Sequence, residues 1–196
     1  SGPAMTLRAA ARSATLRAMG PTVSRARESG MIAAAPSATR TRAKTSQSRL
    51  DAKNAIALPM LQRINLDLKQ PQVLVLVPTR ELAIQIAKEL DSLKGKKQIE
   101  ITAVYGGQAF EPQFKALKKA DIVVGTPGRL LDHIKRKTLR LDELAFLVLD
   151  EADEMLNMGF KEDIEAILSV SSKEKRVFLF SATMPPAILS IAKTYM

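Results

Sequence analysis

The chain has 196 residues, of which 46% are hydrophobic and 26% charged, enough for one domain with a core of its own. It contains no cysteine, which excludes disulfides and zinc–thiolate sites, and no apolar run approaches the roughly 18–20 residues of a membrane span. The net charge of +10 is typical of nucleic-acid binding, but residues 1–54 carry ten basic and two acidic side chains, so the remainder is nearly balanced.

Residues 1–54 differ from the rest of the chain. They are rich in Ala, Ser, Thr and Arg, contain no aromatic residue, and predict a disordered basic segment. Three explanations are open: an organelle transit peptide, a basic arm that holds nucleic acid, or a stretch that is not native coding sequence. We favour the third. We expect the protein in the cytoplasm, unless this segment directs import into an organelle.

From residue 55 onward, apolar runs alternate with segments of helical spacing. In chain order the sequence predicts helix 55–68, strand 73–77, helix 80–93, strand 99–105, helix 111–119, strand 122–124, helix 127–134, strand 146–149, helix 160–168, strand 177–180 and helix 186–195. Thr79 and Thr126 are expected helix N-caps. Such alternation predicts a doubly wound parallel sheet within a single domain, residues 55–196.

The strand at 146–149 is followed by Asp150-Glu151-Ala152-Asp153. An apolar strand that ends in carboxylates suits a nucleotide hydrolase, because one acid can hold hydrated Mg²⁺ while the next orients water. The alternative, that Asp150 or Asp153 only caps the following helix, stays open on this stretch alone.

The other strands also end in short polar or glycine-rich signatures. All five ends lie on one edge of a parallel sheet, which favours a ligand site there, although each signature taken singly is ordinary turn or cap chemistry. Elsewhere, we expect His133, the only histidine, on a helix surface, and Met155 and Met158 in packing.

These signatures carry a resemblance to a known family. The segments 78–83 (PTRELA), 106–107 (GG), 126–129 (TPGR), 150–153 (DEAD) and 181–183 (SAT) resemble the DEAD-box RNA helicases, with flanking residues similar to the bacterial cold-shock members. The resemblance covers residues 55–196. It implies the first RecA-like domain of an ATP-dependent RNA helicase, with the sheet incomplete at its N-terminal strand.

The resemblance also implies roles for individual residues. Asp150 would hold Mg²⁺ through water, Glu151 would position or deprotonate the attacking water, Asp153 would belong to the nucleotide site, and Ser181 and Thr183 would couple ATP hydrolysis to RNA binding. The RNA backbone would be contacted, without sequence preference, by Pro78, Thr79, Arg80, Gly106, Gly107, Thr126, Pro127, Gly128 and Arg129.

The sequence departs from the family upstream of residue 55. Family members carry a Gly-Lys-Thr phosphate-binding loop there, whereas residues 46–54 contain no glycine. The chain also ends soon after Thr183, before a second RecA-like domain. We therefore expect weak ATP binding and little activity from this chain alone. The alternatives are a non-enzymatic RNA-binding or regulatory module, and a different nucleotide hydrolase with a shared core.

Overall fold

The computed structural model describes residues 56–196. The strands are β1 (Val73–Leu76), β2 (Ile101–Val104), β3 (Ile122–Gly125), β4 (Phe146–Leu149) and β5 (Arg176–Leu179). The helices are α1 (56–63), α2 (Arg80–Leu93), α3 (Phe110–Leu117), α4 (Pro127–Lys135), α5 (Ala152–Asn157), α6 (Lys161–Val170) and α7 (Pro186–Tyr195). The predicted disorder of residues 1–54 and the domain boundary at residue 55 lie outside the described residues and stay predictions.

The five strands form one parallel sheet in the order β2-β3-β1-β4-β5. β1 lies at the centre, where Val73 pairs with Ile122 of β3 on one side and with Phe146 of β4 on the other. The strand order is non-consecutive, so the helices cross over the sheet between strands. The predicted doubly wound parallel sheet is confirmed.

Both faces of the sheet are covered, which explains why β1, β3 and β4 are uninterrupted apolar runs. Leu74 and Leu76 of β1 belong to a core with apolar side chains of α4, α5, α6 and α7. The alternate residues Val73 and Val75 belong to a second core with side chains of α1 and α2. Each fully buried aliphatic side chain contributes roughly 1.5–3 kcal/mol to folding.

Two expectations about single residues are wrong. His133 is fully buried rather than on a helix surface, because the Phe110 ring of α3 stacks on its imidazole at 4.0 Å between centroids. Met155 is buried as expected, but Met158 follows the end of α5 and is 48% exposed. Strand β2 begins at Ile101 rather than residue 99, although Ile99 is buried.

No helix within residues 56–196 combines the length and the apolar character needed to cross a membrane.

Candidate functional site

Backbone hydrogen bonds hold the end of β4 between its two neighbours. The amide of Asp150 donates to the Leu76 carbonyl of β1 at 2.9 Å, and the amide of Ala152 donates to the Phe180 carbonyl at 3.0 Å. The residue between them, Glu151, is therefore fixed from both sides. The acidic segment begins at a defined point on the carboxyl edge of the sheet.

Asp150 and Glu151 have contrasting environments. Asp150 is 3% exposed, whereas the Glu151 side chain is exposed. Glu151 occupies the N-cap position of α5 with φ 53° and ψ 49°, and its side chain makes no capping hydrogen bond. The left-handed backbone is unfavourable for a residue with a Cβ atom. The alternative role of Asp150 or Asp153 as helix cap is wrong, since neither occupies the N-cap position.

Asp153 connects the acidic segment to the Ser-Ala-Thr segment. Its carboxylate accepts from the Thr183 hydroxyl at 2.8 Å, the Thr183 amide at 2.9 Å and the Ala182 amide at 3.4 Å. In return, the Ser181 hydroxyl accepts from the Asp153 amide at 3.2 Å and donates to the Thr183 carbonyl at 2.6 Å. Three of the predicted site residues are thus joined by direct hydrogen bonds.

These contacts control the charge of Asp153. Partial burial tends to raise its pKa, but the hydroxyls of Thr183 and Ser181 and the amides of Thr183 and Ala182 outweigh it and lower the pKa to about 2. The carboxylate is therefore ionised throughout the neutral range and acts only as an acceptor.

Substitution of Asp153 by Asn tests this arrangement. Because the folded-state pKa lies below the ordinary value, the carboxylate contributes stability that is present above about pH 4 and lost as the pH falls through about 2. We expect Asp153→Asn to lower the free energy of unfolding at pH 7 by about 1 kcal/mol, since one carboxylate acceptor becomes an amide donor. Urea unfolding across this pH range measures both effects. If Asp153→Asn lowered the free energy of unfolding equally at every pH, the assignment of an ionised Asp153 carboxylate would be wrong.

A cleft of about 320 Å³ lies beside these acids. Its lining residues are Asp150, Glu151, Asp153, Glu154, Phe180, Ser181 and Ala182. The described residues contain no group of three or more acidic or histidine side chains arranged to hold a metal. Mg²⁺ nevertheless keeps most of its waters and needs only one or two carboxylates beside a substrate phosphate. Asp150, next to Glu151 at the strand end, fits that chemistry.

The second group of predicted site residues lies at the ends of β1, β2 and β3. The Thr126 amide donates to the Val104 carbonyl at 3.1 Å, and the Val77 amide donates to the Gly125 carbonyl at 3.0 Å. These bonds place the three segments Pro78–Arg80, Gly106–Gly107 and Thr126–Arg129 along the same edge of the sheet.

The side chains of this group differ in how they are held. Thr79 caps α2, with its hydroxyl accepting from the Leu82 amide at 3.3 Å, as expected. Thr126 occupies the N-cap of α4 with Pro127 in the first turn, but its hydroxyl makes no capping bond. Arg80 is exposed and pairs with Glu81 at 3.1 Å. Gly107 has φ +79°, a conformation that favours glycine.

Arg129 belongs to a hydrogen-bond network that the sequence did not reveal. Its Nη1 donates to the Gln108 carbonyl at 3.0 Å and to Gln113 Oε1 at 3.3 Å, and Gln113 also approaches His133. Burial first, and then the positive charge of Arg129, lower the pKa of His133 to about 4. The only signal in the sequence was a polar residue, Gln113, on the inner side of a short helix.

The edge of the sheet therefore carries an acidic group joined to a Ser-Ala-Thr segment and, alongside it, helix N-termini, a glycine turn and arginines. Together with the strand order, this defines an α/β protein with a RecA-like fold. The DEAD/DEAH box helicase family matches residues 54–191. The chain belongs to this family.

Individual relatives support the same assignment. The chain is 56% identical over 142 residues to a probable ATP-dependent RNA helicase of Methanocaldococcus jannaschii. The aligned residues make up 72% of this chain and 38% of the relative. It is 53% identical over 144 residues to the ATP-dependent RNA helicase DeaD of Escherichia coli, 72% of this chain and 23% of DeaD. The chain thus spans about a quarter to two fifths of the length of these relatives.

The fold is also found among solved structures. A DEAD box protein from the hyperthermophile Methanococcus jannaschii superposes with a TM-score of 0.70 at 55% identity, covering 73% of this chain and 39% of that chain. A hypothetical ATP-dependent RNA helicase from Sulfolobus tokodaii gives a TM-score of 0.66 at 36% identity, covering 72% of this chain and 41% of that chain. The expected family resemblance and RecA-like fold are confirmed.

Proposed function

We propose that residues 56–196 form the first RecA-like domain of an ATP-dependent RNA helicase, in which ATP hydrolysis is coupled to RNA binding and duplex unwinding. Asp150 would hold hydrated Mg²⁺ when a nucleotide is bound, and Glu151 would orient the attacking water and accept its proton. Mg²⁺ neutralises charge on the phosphates when it is bound. Asp150 and Glu151, at the end of β4, would position the metal and the attacking water.

The observation that carries this proposal is the hydrogen-bonded pair of Asp153 and Thr183. Asp153 lies three residues after Asp150, in the first turn of α5, and Thr183 follows β5. A shift of the acidic segment on hydrolysis would therefore pull directly on the segment that leads into α7. Ser181 and Thr183 are the coupling residues in this proposal, whereas Asp150 and Glu151 carry the chemistry.

RNA binds along the neighbouring part of the same edge. Helix N-termini and free backbone amides at glycine bind phosphate oxygens, and arginine adds charge and a fork of donors. The proposed contacts come from Pro78, Thr79, Arg80, Gly106, Gly107, Thr126, Pro127, Gly128 and Arg129. Because these groups meet phosphates rather than base edges, binding is independent of sequence.

Substitution of Arg129 by Ala tests the RNA-binding role in this chain. We expect the dissociation constant for a fluorescein-labelled oligouridylate to rise about fivefold to tenfold, and the slope of log affinity against log salt to fall by about 0.7. Fluorescence anisotropy over a potassium chloride series measures both. Arg140→Ala is the control, since Arg140 is an exposed arginine before β4, at the opposite end of that strand from Asp150. Equal slopes for both variants would contradict the proposal.

The glycine-free sequence of residues 46–54 favours a second candidate, an RNA-binding module without ATP turnover. A phosphate nest needs backbone that glycine adopts easily, with a Lys close by. We therefore expect calorimetric titration of this chain with ATP and Mg²⁺ to show binding weaker than micromolar. A micromolar dissociation constant would reject this module and require another phosphate site in the chain.

A further inference from the structure

Gln113 of α3 is a buried amide that joins two of the segments described above. It is 3% exposed. Its Nε2 donates to the Tyr105 carbonyl at 2.9 Å, at the end of β2, and lies 3.3 Å from Gln108 Oε1. Its Oε1 accepts from Arg129 Nη1 at 3.3 Å and lies 3.3 Å from His133 Nε2, both on α4.

The neighbours of Gln113 fix the orientation of its amide. A carbonyl only accepts, so the group facing Tyr105 must be the NH₂, and the oxygen faces Arg129 and His133. The Gln113 oxygen facing His133 Nε2 favours a proton on that nitrogen. The Thr138 hydroxyl lies 2.9 Å from His133 Nδ1 and donates to the His133 carbonyl at 3.0 Å. One side chain therefore sets the distance between the end of β2 and the first turns of α4.

Arg129 keeps donors available despite these bonds. A guanidinium has five N–H groups, of which the two on Nη1 are used by Gln108 and Gln113. Within residues 56–196 the other three have no hydrogen-bonded partner, and the side chain is partly exposed. The Nη1 group is thus held in place, while the remaining donors of the guanidinium can bind another acceptor.

We propose that Gln113 is a positioning residue for RNA: it holds Arg129 against the Gly106–Gly107 turn, so that the guanidinium and the turn amides engage phosphodiester oxygens of one strand together. This inference rests on the proposed RNA-binding function and deepens it. The benefit is geometric, since an arginine already held in place loses less side-chain freedom when it binds a phosphate. Gln113 itself does not touch the RNA.

A purely structural role for Gln113 makes different predictions. In that case its loss lowers the melting temperature and weakens RNA binding equally, whether or not Arg129 is present. A positioning role instead acts through Arg129, so its effect disappears once Arg129 is removed.

The test uses anisotropy titrations of the whole chain with fluorescein-labelled oligouridylate over a potassium chloride series. Gln113→Met keeps the length of the side chain but removes its hydrogen bonds. We expect a loss of affinity of about threefold to tenfold and a fall in the salt slope toward that of Arg129→Ala, with no further loss in the double variant. Leu117→Ala is the matched control, a buried apolar residue on the same helix that lowers the melting temperature but keeps the wild-type salt slope.

A second variant covers the possibility that Gln113→Met does not fold. Gln113→Glu keeps the acceptor and adds a charge that holds Arg129 inward, so we again expect weaker RNA binding. Because His133 is the only histidine, its Hε1 proton gives one NMR signal that titrates without interference from another histidine. The charged side chains around the ring are Arg129, Asp132 and Arg136. An added carboxylate at 113 stabilises the imidazolium, and the measured pKa of His133 should rise by about one to two units.

The outcomes separate the two proposals. A normal salt slope in Gln113→Met and Gln113→Glu, beside a reduced slope in Arg129→Ala, overturns the positioning role and leaves the RNA-binding function standing. An unchanged His133 titration in Gln113→Glu overturns the contact on which the inference depends. Failure of the wild-type chain to bind the oligouridylate overturns both proposals.

Discussion

Glu151→Gln is expected to leave the melting temperature of this chain nearly unchanged and to reduce ATP hydrolysis by roughly 10²–10⁴-fold when residues 56–196 are placed in a two-domain helicase with a Gly-Lys-Thr loop. The side chain is exposed and makes no capping bond, so its removal costs the fold little. A glutamine of the same size keeps the left-handed backbone but cannot accept a proton from water.

The backbone at Glu151 supports this prediction. A non-glycine residue with φ 53° costs about 1 kcal/mol or more, and such strain persists where the surroundings enforce it. Here the bonds from Asp150 to Leu76 and from Ala152 to Phe180 enforce it on both sides. In this conformation the Glu151 side chain is exposed, makes no capping bond and lines the cleft beside Asp150.

Glu151→Gly separates strain from chemistry. Glycine adopts the left-handed conformation without penalty, so the melting temperature should rise, while hydrolysis should fall as far as in Glu151→Gln. Melting curves of the chain and steady-state phosphate release by the two-domain protein measure the two effects. Hydrolysis by Glu151→Gln at the wild-type rate would remove the catalytic assignment.

The sheet could be predicted because its information is local. The run Phe146–Leu149 is buried on both faces, and burial on both faces leaves no polar position in the run. Thr79 could be assigned as a cap for the same reason, since its hydroxyl bonds the Leu82 amide only three residues away. The family motifs also made it possible to predict which side chains lie together at the carboxyl edge of the sheet.

The features that were missed depend on contacts between distant segments. His133 is buried because Phe110, 23 residues earlier, stacks on it, and nothing within α4 requires this. Gln113 acquires its partners from the end of β2 and from α4 only after the sheet has formed. The conformation of Glu151 likewise comes from bonds that its neighbours make to Leu76 of β1 and to Phe180, the residue after β5. Each depends on tertiary structure rather than on local pattern.

Gly125 is the position where a small substitution should have the largest effect on the fold. It is the last residue of β3, paired with Val104 of β2. A Cβ atom there would lie 2.2 Å from the Val104 carbonyl oxygen and 3.1 Å from Cγ of the fully buried Leu130. The carbonyl cannot withdraw freely, because it accepts the Thr126 amide at 3.1 Å.

We expect Gly125→Ala to lower the free energy of unfolding by about 3 kcal/mol or more, a large part of the 5–15 kcal/mol typical of a domain. Gly128→Ala is the control three residues later, where the added methyl would meet only Asp163 Oδ2 at an ordinary 3.5 Å, and its melting temperature should not fall. Urea unfolding of both variants gives the comparison.

Since Gly125 immediately precedes Thr126, any displacement of β3 from β2 also moves Arg129 away from the glycine turn. A folded fraction of Gly125→Ala should therefore bind oligouridylate with the reduced salt slope of Arg129→Ala, and wild-type stability together with a wild-type slope would show that β2 and β3 do not approach this closely.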